Sequence, residues 1–214
     1  MNGLLRPRIW ASLLTSSGHA PCDVLSSTSR VRVPAVARLQ AHLHGLVTTI
    51  HEISGLEEGM ESMLFRVATD KDLEFISQLS GELFSRYGNY DEIVAAWFLE
   101  PGVITVVALE RESRCGFAML AMERQRMFEP RRGHLMGIGI FPQHQRKGIG
   151  RTLLEHMEEV ARQYGSNEMR LWTAVDNEQA LSFFEKTGFQ IIGSEDFYYP
   201  KGQAALALSK ELFP

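Results

Sequence analysis

The stretch from Ile138 to Gly165 constrains the fold of this chain more than any other. Ile138-Gly139-Ile140 ends an apolar run and Gln145-Arg146-Lys147-Gly148-Ile149-Gly150-Arg151 follows as a glycine turn. Leu153, Leu154, Met157, Val160, Ala161 and Tyr164 then recur along one helix face up to a stop at Gly165. A strand that feeds a glycine turn and an amphipathic helix predicts helices packed on a sheet. The turn also predicts an anion site. The first N–H groups of a helix lack intrahelical acceptors, the helix dipole is positive there, and glycine lets a ligand approach the backbone. Arg146, Lys147 and Arg151 add positive charge, which suits a diphosphate-sized anion. Two familiar phosphate loops are excluded. A P-loop needs Lys then Ser or Thr after its last glycine, where this chain has Arg151-Thr152, and a dinucleotide fingerprint needs a third glycine where Leu153 stands.

Around this segment, short apolar runs alternate with helical periods. Strands are expected near 64–68, 103–109, 116–123, 134–140, 169–174, 189–192 and 204–208, with a polar turn over 110–114. Thr69 or Asp70 caps a helix that presents Leu73, Ile76, Leu79 and Leu83, a second helix over 91–99 stops against Pro101-Gly102, and another covers 178–187. Three strands in succession mid-chain predict a meander at the centre of a mixed α/β single domain of about 150 residues.

Charge narrows the partners. The chain carries a net −4, but residues 1–50 hold five arginines against one acid, Asp23, for a net +4, which leaves −8 on the rest. An acidic body argues against nucleic acid and mildly favours a cationic partner. No run of about 18 apolar residues occurs, so no membrane span is expected. Cys22 and Cys115, far apart, offer neither a disulfide framework nor a zinc site, and no metal is expected. Residues 1–59 are rich in Arg and Ser and read as an N-terminal extension, largely disordered, with a helix over 35–53 carried by Val36, Leu39, Leu43, Leu46, Val47, Ile50 and Ile53. Three readings stay open for it: a simple extension or a start codon set ahead of Met60 and Met63, a helix packed on the main domain, or a mitochondrial transit peptide. Residues 60–214 form the expected folded domain, and the expected location is cytoplasmic, with the mitochondrion as the alternative.

Two blocks carry a resemblance. Gln145-Arg146-Lys147-Gly148-Ile149-Gly150, with Ile140-Phe141-Pro142 upstream, is similar to the Gln/Arg-x-x-Gly-x-Gly/Ala motif of the GNAT family of acyl-CoA-dependent N-acetyltransferases. Asp176-Asn177-Glu178-Gln179-Ala180 with Phe184-Glu185-Lys186-Thr187-Gly188-Phe189 resembles the family's Asn-x-x-Ala and aromatic-Glu-Lys-x-Gly-Phe pattern, in the right order and at normal spacing. The likeness runs from about Leu64 to Leu212. It implies a GNAT-like domain with a mixed, mostly antiparallel sheet of about seven strands flanked by four helices. It also implies transfer of an acetyl group from acetyl-CoA to a primary amine, on a small molecule, a protein N-terminus or a lysine. By the same resemblance Ile138, Gly139 and Ile140 line the pantetheine arm, Gln145, Arg146, Lys147, Gly148, Ile149, Gly150 and Arg151 hold the pyrophosphate, and Asn177 meets the cofactor.

The chemistry asks for a neutral amine, a stabilised oxyanion and a departing thiolate. Gly137 and Gly139 make a bulged strand over 137–140 plausible, with unpaired N–H groups for the oxyanion; packing room for a neighbour is the competing reading. Many family members carry a tyrosine acid where this chain has Phe184. Tyr198 and Tyr199, expected in the last strand pair, are candidate substitutes, and Tyr198-Tyr199-Pro200 resembles the tail of the branch that acetylates protein N-termini. Leu171-Trp172-Thr173-Ala174-Val175 offers no carboxylate base. His134 is the base candidate, titrating near 6.5, with Glu123 second. Missing catalytic groups leave an acyl-CoA-binding sensor or interaction domain as the alternative to an enzyme. The amine acceptor and the oligomeric state have no motif.

Overall fold

The computed structural model describes residues 63–123 and 131–212. The extension over 1–59 and its helix over 35–53 lie outside the described residues. The element order is β1 (Met63–Val67), α1 (Leu73–Phe84), α2 (Tyr90–Phe98), β2 (Val103–Glu110), β3 (Ser113–Met122), β4 (Arg132–Ile140), α3 (Ile149–Gln163), β5 (Glu168–Ala174), α4 (Glu178–Lys186), β6 (Gln190–Glu195) and β7 (Ala205–Glu211). The strands form one sheet in the order β1-β2-β3-β4-β5-β7-β6, antiparallel throughout except for the β4–β5 pair. The expected meander is β1 to β4.

Strand period divides the core in two. Ile104, Val106 and Ala108 of β2 face the side covered by α3, where Leu153, Leu154 and Met157 are fully buried, while Val107 and Leu109 face α1 and α2 with Ile76, Leu79 and Val94. The α3 apolar stripe supplies the first layer as its spacing predicts. The polar turn over 110–114 is tighter than expected. Glu110 pairs with Ser113, so only Arg111 and Glu112 lie in the loop, both with positive φ, the geometry of a two-residue hairpin. Consequently β3 begins three residues before the expected 116. At the other end of this hairpin Asp72, fully buried, binds Arg66, Arg114 and the backbone N–H of Thr69. Burial pushes its carboxyl up, and those donors outweigh the burial and hold it well below the usual carboxylate range.

The relationship that makes the site is a divergence. The β4–β5 ladder covers only Arg132 to Leu135 against Glu168 to Leu171. Directly after it, Met119 faces Gly137 and Leu120 faces Leu135, so Met136 is an extra residue on β4. A bulge bends its strand and breaks the ladder. From there β4 stays with β3, β5 stays with β7, and the sheet opens between them. The expected bulge over 137–140 therefore sits one residue earlier, at Met136.

Candidate active site

The opening is a cavity of about 130 Å³ that runs through the sheet. Met136, Gly137 and Ile138 of β4 and Leu171, Trp172 and Thr173 of β5 form its sides. Asn177, Ala180 and Phe184 bound it on the α4 face, and Phe84, Tyr87, Tyr90, Val94 and Trp97 bound it on the α1–α2 face. Tyr198 and Tyr199 also line it, but from the loop between β6 and β7 rather than from a strand, contrary to expectation. Tyr198 stacks on Trp172 at 4.8 Å, and Tyr199 lies 4.8 Å from Tyr87, so the loop is pinned by ring packing.

His134 lines the same cavity, opposite Ala121 on β3 and Arg170 on β5. It is 7% exposed. Burial first, and the Arg170 charge second, push its pKa down to about 4. The expectation of a base titrating near 6.5 is thereby corrected: the ring is neutral and weakly basic at physiological pH. Glu123 lies outside the cavity lining, 3.9 Å from the Arg132 guanidinium. Burial raises the phenol pKa of both Tyr198 and Tyr199, with neighbouring tyrosines adding to it, so both keep their protons.

The glycine turn leads from the α4 face into α3. Gly148, the N-cap, has φ +85° and a Cβ there would meet nothing within 4 Å, while no side chain caps the helix. Backbone N–H groups at this end therefore point to open space. Arg146 also adopts a left-handed φ of +62°. Arg146 and Arg151 are exposed and have no ion-pair partner among the described residues. Lys147 is different, because its Nζ donates to Glu110 at 3.0 Å, and His144 Nδ1 stands 2.8 Å from the same carboxylate. Gln145 donates to the Ile140 carbonyl at 2.9 Å and accepts from Gln179 at 3.1 Å, tying the turn to α4. The Ile149 side chain is core, so only its backbone faces the turn. A Cβ on Gly139 would lie 3.0 Å from Leu83 and 3.1 Å from Phe117, which supports the packing reading for that glycine; Gly137 has more room. Ile138 reaches the cavity, and Ile140 packs 3.2 Å from where a Gly150 Cβ would be. Asn177 caps α4 by accepting from Ala180 N and also lines the cavity. An open anion turn on one face, joined by the gap to an enclosed chamber on the other, fits a long thioester such as acetyl-CoA, which supplies the activated acetyl group.

The profile of the Acetyltransferase (GNAT) family matches residues 71–189, more than half of the chain. The chain belongs to the GNAT family. This GNAT enzyme is 30% identical over 120 residues to an N-alpha-acetyltransferase of Saccharolobus solfataricus, an alignment covering 53% of this chain and 72% of that one. It is 30% identical over 76 residues to N-alpha-acetyltransferase 50 of Danio rerio, covering 35% and 45%. Arabidopsis thaliana NAA60, solved with a bisubstrate analogue, shares the fold with a TM-score of 0.62 at 13% identity, over 70% of this chain and 99% of that one. The GNAT enzyme is thus an acetyl-CoA-dependent N-acetyltransferase with a seven-stranded mixed sheet and four helices. No described helix is long and apolar enough to cross a membrane.

Sequence reasoning missed the α1–α2 wall. Tyr87, Tyr90 and Trp97 are spaced as ordinary helix-flanking aromatics, and only the fold turns them toward the gap.

Proposed function

We propose that the acceptor is the α-amine of a peptide or protein chain. One observation carries this: among the described residues lining the cavity there is no Asp, Glu, Lys or Arg, and His134 is a weak base. Such a chamber has nothing to strip a proton from a strongly basic amine or to accompany a charge. An α-amine titrates near 7.7–8.0 and a lysine amine near 10.4, so at neutral pH the reactive neutral form is about 300-fold more abundant for the α-amine. The names of the archaeal and zebrafish relatives agree with this reading.

In this mechanism the neutral amine enters from the α1–α2 face and donates a hydrogen bond to the His134 ring. Its nitrogen forms a bond to the thioester carbon, and the unpaired β4 edge past Leu135 offers backbone N–H groups to the oxyanion, each worth roughly 10² to 10³ in rate. The C–S bond then breaks, the nitrogen gives up its extra proton to water, and the neutral Tyr198 phenol protonates the departing thiolate. The pyrophosphate rests on the N–H groups from Gly148 to Arg151 with Arg146 and Arg151 beside it, and Asn177 borders the arm. A binding-only sensor is the weaker reading, since Tyr198 replaces the hydroxyl that Phe184 lacks.

The test is product mass spectrometry with acetyl-CoA and three acceptors: a free N-terminal peptide, the same peptide Nα-blocked with an internal lysine, and spermidine. Acetylation of the free N-terminus alone is expected. Preferred acetylation of the lysine peptide or of spermidine overturns the reading.

A further inference from the structure

This inference rests on the α-amine reading and extends it by one side chain. The chamber wall on the α1–α2 face is hydrocarbon and ring: Phe84 at the end of α1, Val94 and Trp97 of α2, and Met136, the bulged residue of β4. It is a packed surface. Val94 is 1% exposed, and Tyr90 meets Phe84 and Trp97 edge-on with centroids 5.9 and 6.1 Å away.

The roof over this wall is stitched down. Lys201 N donates to the Tyr87 carbonyl at 3.2 Å, Lys201 Nζ to the Ser85 carbonyl at 2.7 Å, and Gln203 Nε2 to the Arg86 carbonyl at 2.8 Å. A Cβ on Gly88 would lie 2.9 Å from Pro200 Cγ, so the loop before α2 and the loop before β7 touch directly. A space of about 130 Å³ behind such a roof takes one side chain, not a length of peptide. An α-amine that reaches the gap brings the side chain on its own α-carbon to this wall. A charged first side chain would lose its water with no partner in return, and a small one would leave the wall unfilled.

We propose that this enzyme selects acceptors whose first residue is large and apolar, methionine, leucine or phenylalanine, with Val94, Trp97 and Met136 setting the choice. In an apolar pocket one methylene changes kcat/KM by roughly 10-fold or more.

The experiment uses the full chain, acetyl-CoA and peptides of one common tail that begin with Met, Leu, Phe, Ala, Ser, Asp or Lys, together with spermidine and an Nα-blocked lysine peptide. Met, Leu and Phe are expected to exceed Ala and Ser in kcat/KM by about 10- to 100-fold, and Asp by more. Val94→Phe, which fills the space, is expected to lower the Met-to-Ala ratio of kcat/KM, a ratio that loss of folded enzyme leaves alone. Equal rates for Met and Ala, or a preference for Ala, Ser or Asp, overturns the proposal while the α-amine reading stands. Acetylation of spermidine or the blocked peptide with no α-amine product overturns both.

Discussion

Lys147 Nζ donates to Glu110 at 3.0 Å and so joins the glycine turn to the end of β2. The carboxylate thereby offsets one of the three cations that the sequence places at the anion site. Lys147→Met is expected to weaken acetyl-CoA by less than about fivefold, the range of an exposed ion pair. Glu110→Gln is expected to tighten acetyl-CoA a few-fold at low salt, because it removes a negative charge and releases Lys147. Calorimetric titration at two ionic strengths checks both, and a loss beyond tenfold in Lys147→Met would return that lysine to the pyrophosphate set.

Gly148 and Gly150 differ in why they are glycine. At Gly148 the limit is conformation, since φ is +85° with open space around the Cβ position. A side chain there costs roughly 1–2 kcal/mol in backbone strain and projects into the anion's space. At Gly150 the limit is contact, with Ile140 Cδ1 3.2 Å away. Gly148→Val and Gly150→Val are both expected to raise the acetyl-CoA Kd at least tenfold, and unchanged affinity in both removes the turn from the cofactor site.

His134 links pH to stability rather than to rate. Its folded pKa of about 4 lies below the unfolded value near 6.5. Between these values the unfolded chain binds more protons, so the stability present above pH 6.5 falls as the pH drops toward 4, by up to about 3 kcal/mol. His134→Gln is expected to flatten this fall in urea midpoints measured from pH 7.5 to 4.5. The acid limb of kcat/KM is expected near pH 8, following the acceptor amine. A limb near 6.5 that vanishes in His134→Gln would restore the histidine as the base.

Phe184 is 4% exposed and packs 5.1 Å from Phe183 and 5.5 Å from Phe189, a core ring that borders the gap without a hydroxyl. With Tyr198 as the proton donor, Tyr198→Phe is expected to lower kcat by about 10- to 100-fold at constant acetyl-CoA affinity, and Phe184→Tyr to recover part of it. Single-turnover rates decide, and an unchanged rate in Tyr198→Phe assigns thiolate departure to the thiol's own acidity.

Local pattern determined much of this protein. The α3 stripe from Leu153 to Ala161, the glycine at Gly148, the N-cap at Asn177 and the meander of β1 to β4 all follow from period, turn chemistry and capping, which act over a few neighbouring residues. Tertiary structure decided what those residues can do. Lys147 was read as an anion ligand until β2 brought Glu110 beside it, and His134 as a neutral-pH base until burial and Arg170 lowered its pKa. Tyr87, Tyr90 and Tyr198 became one wall only because the sheet opens after Leu135 and Leu171. Charge partners, desolvation and the shape of a cavity depend on residues far apart in the chain, and their spacing in sequence carries no trace of them.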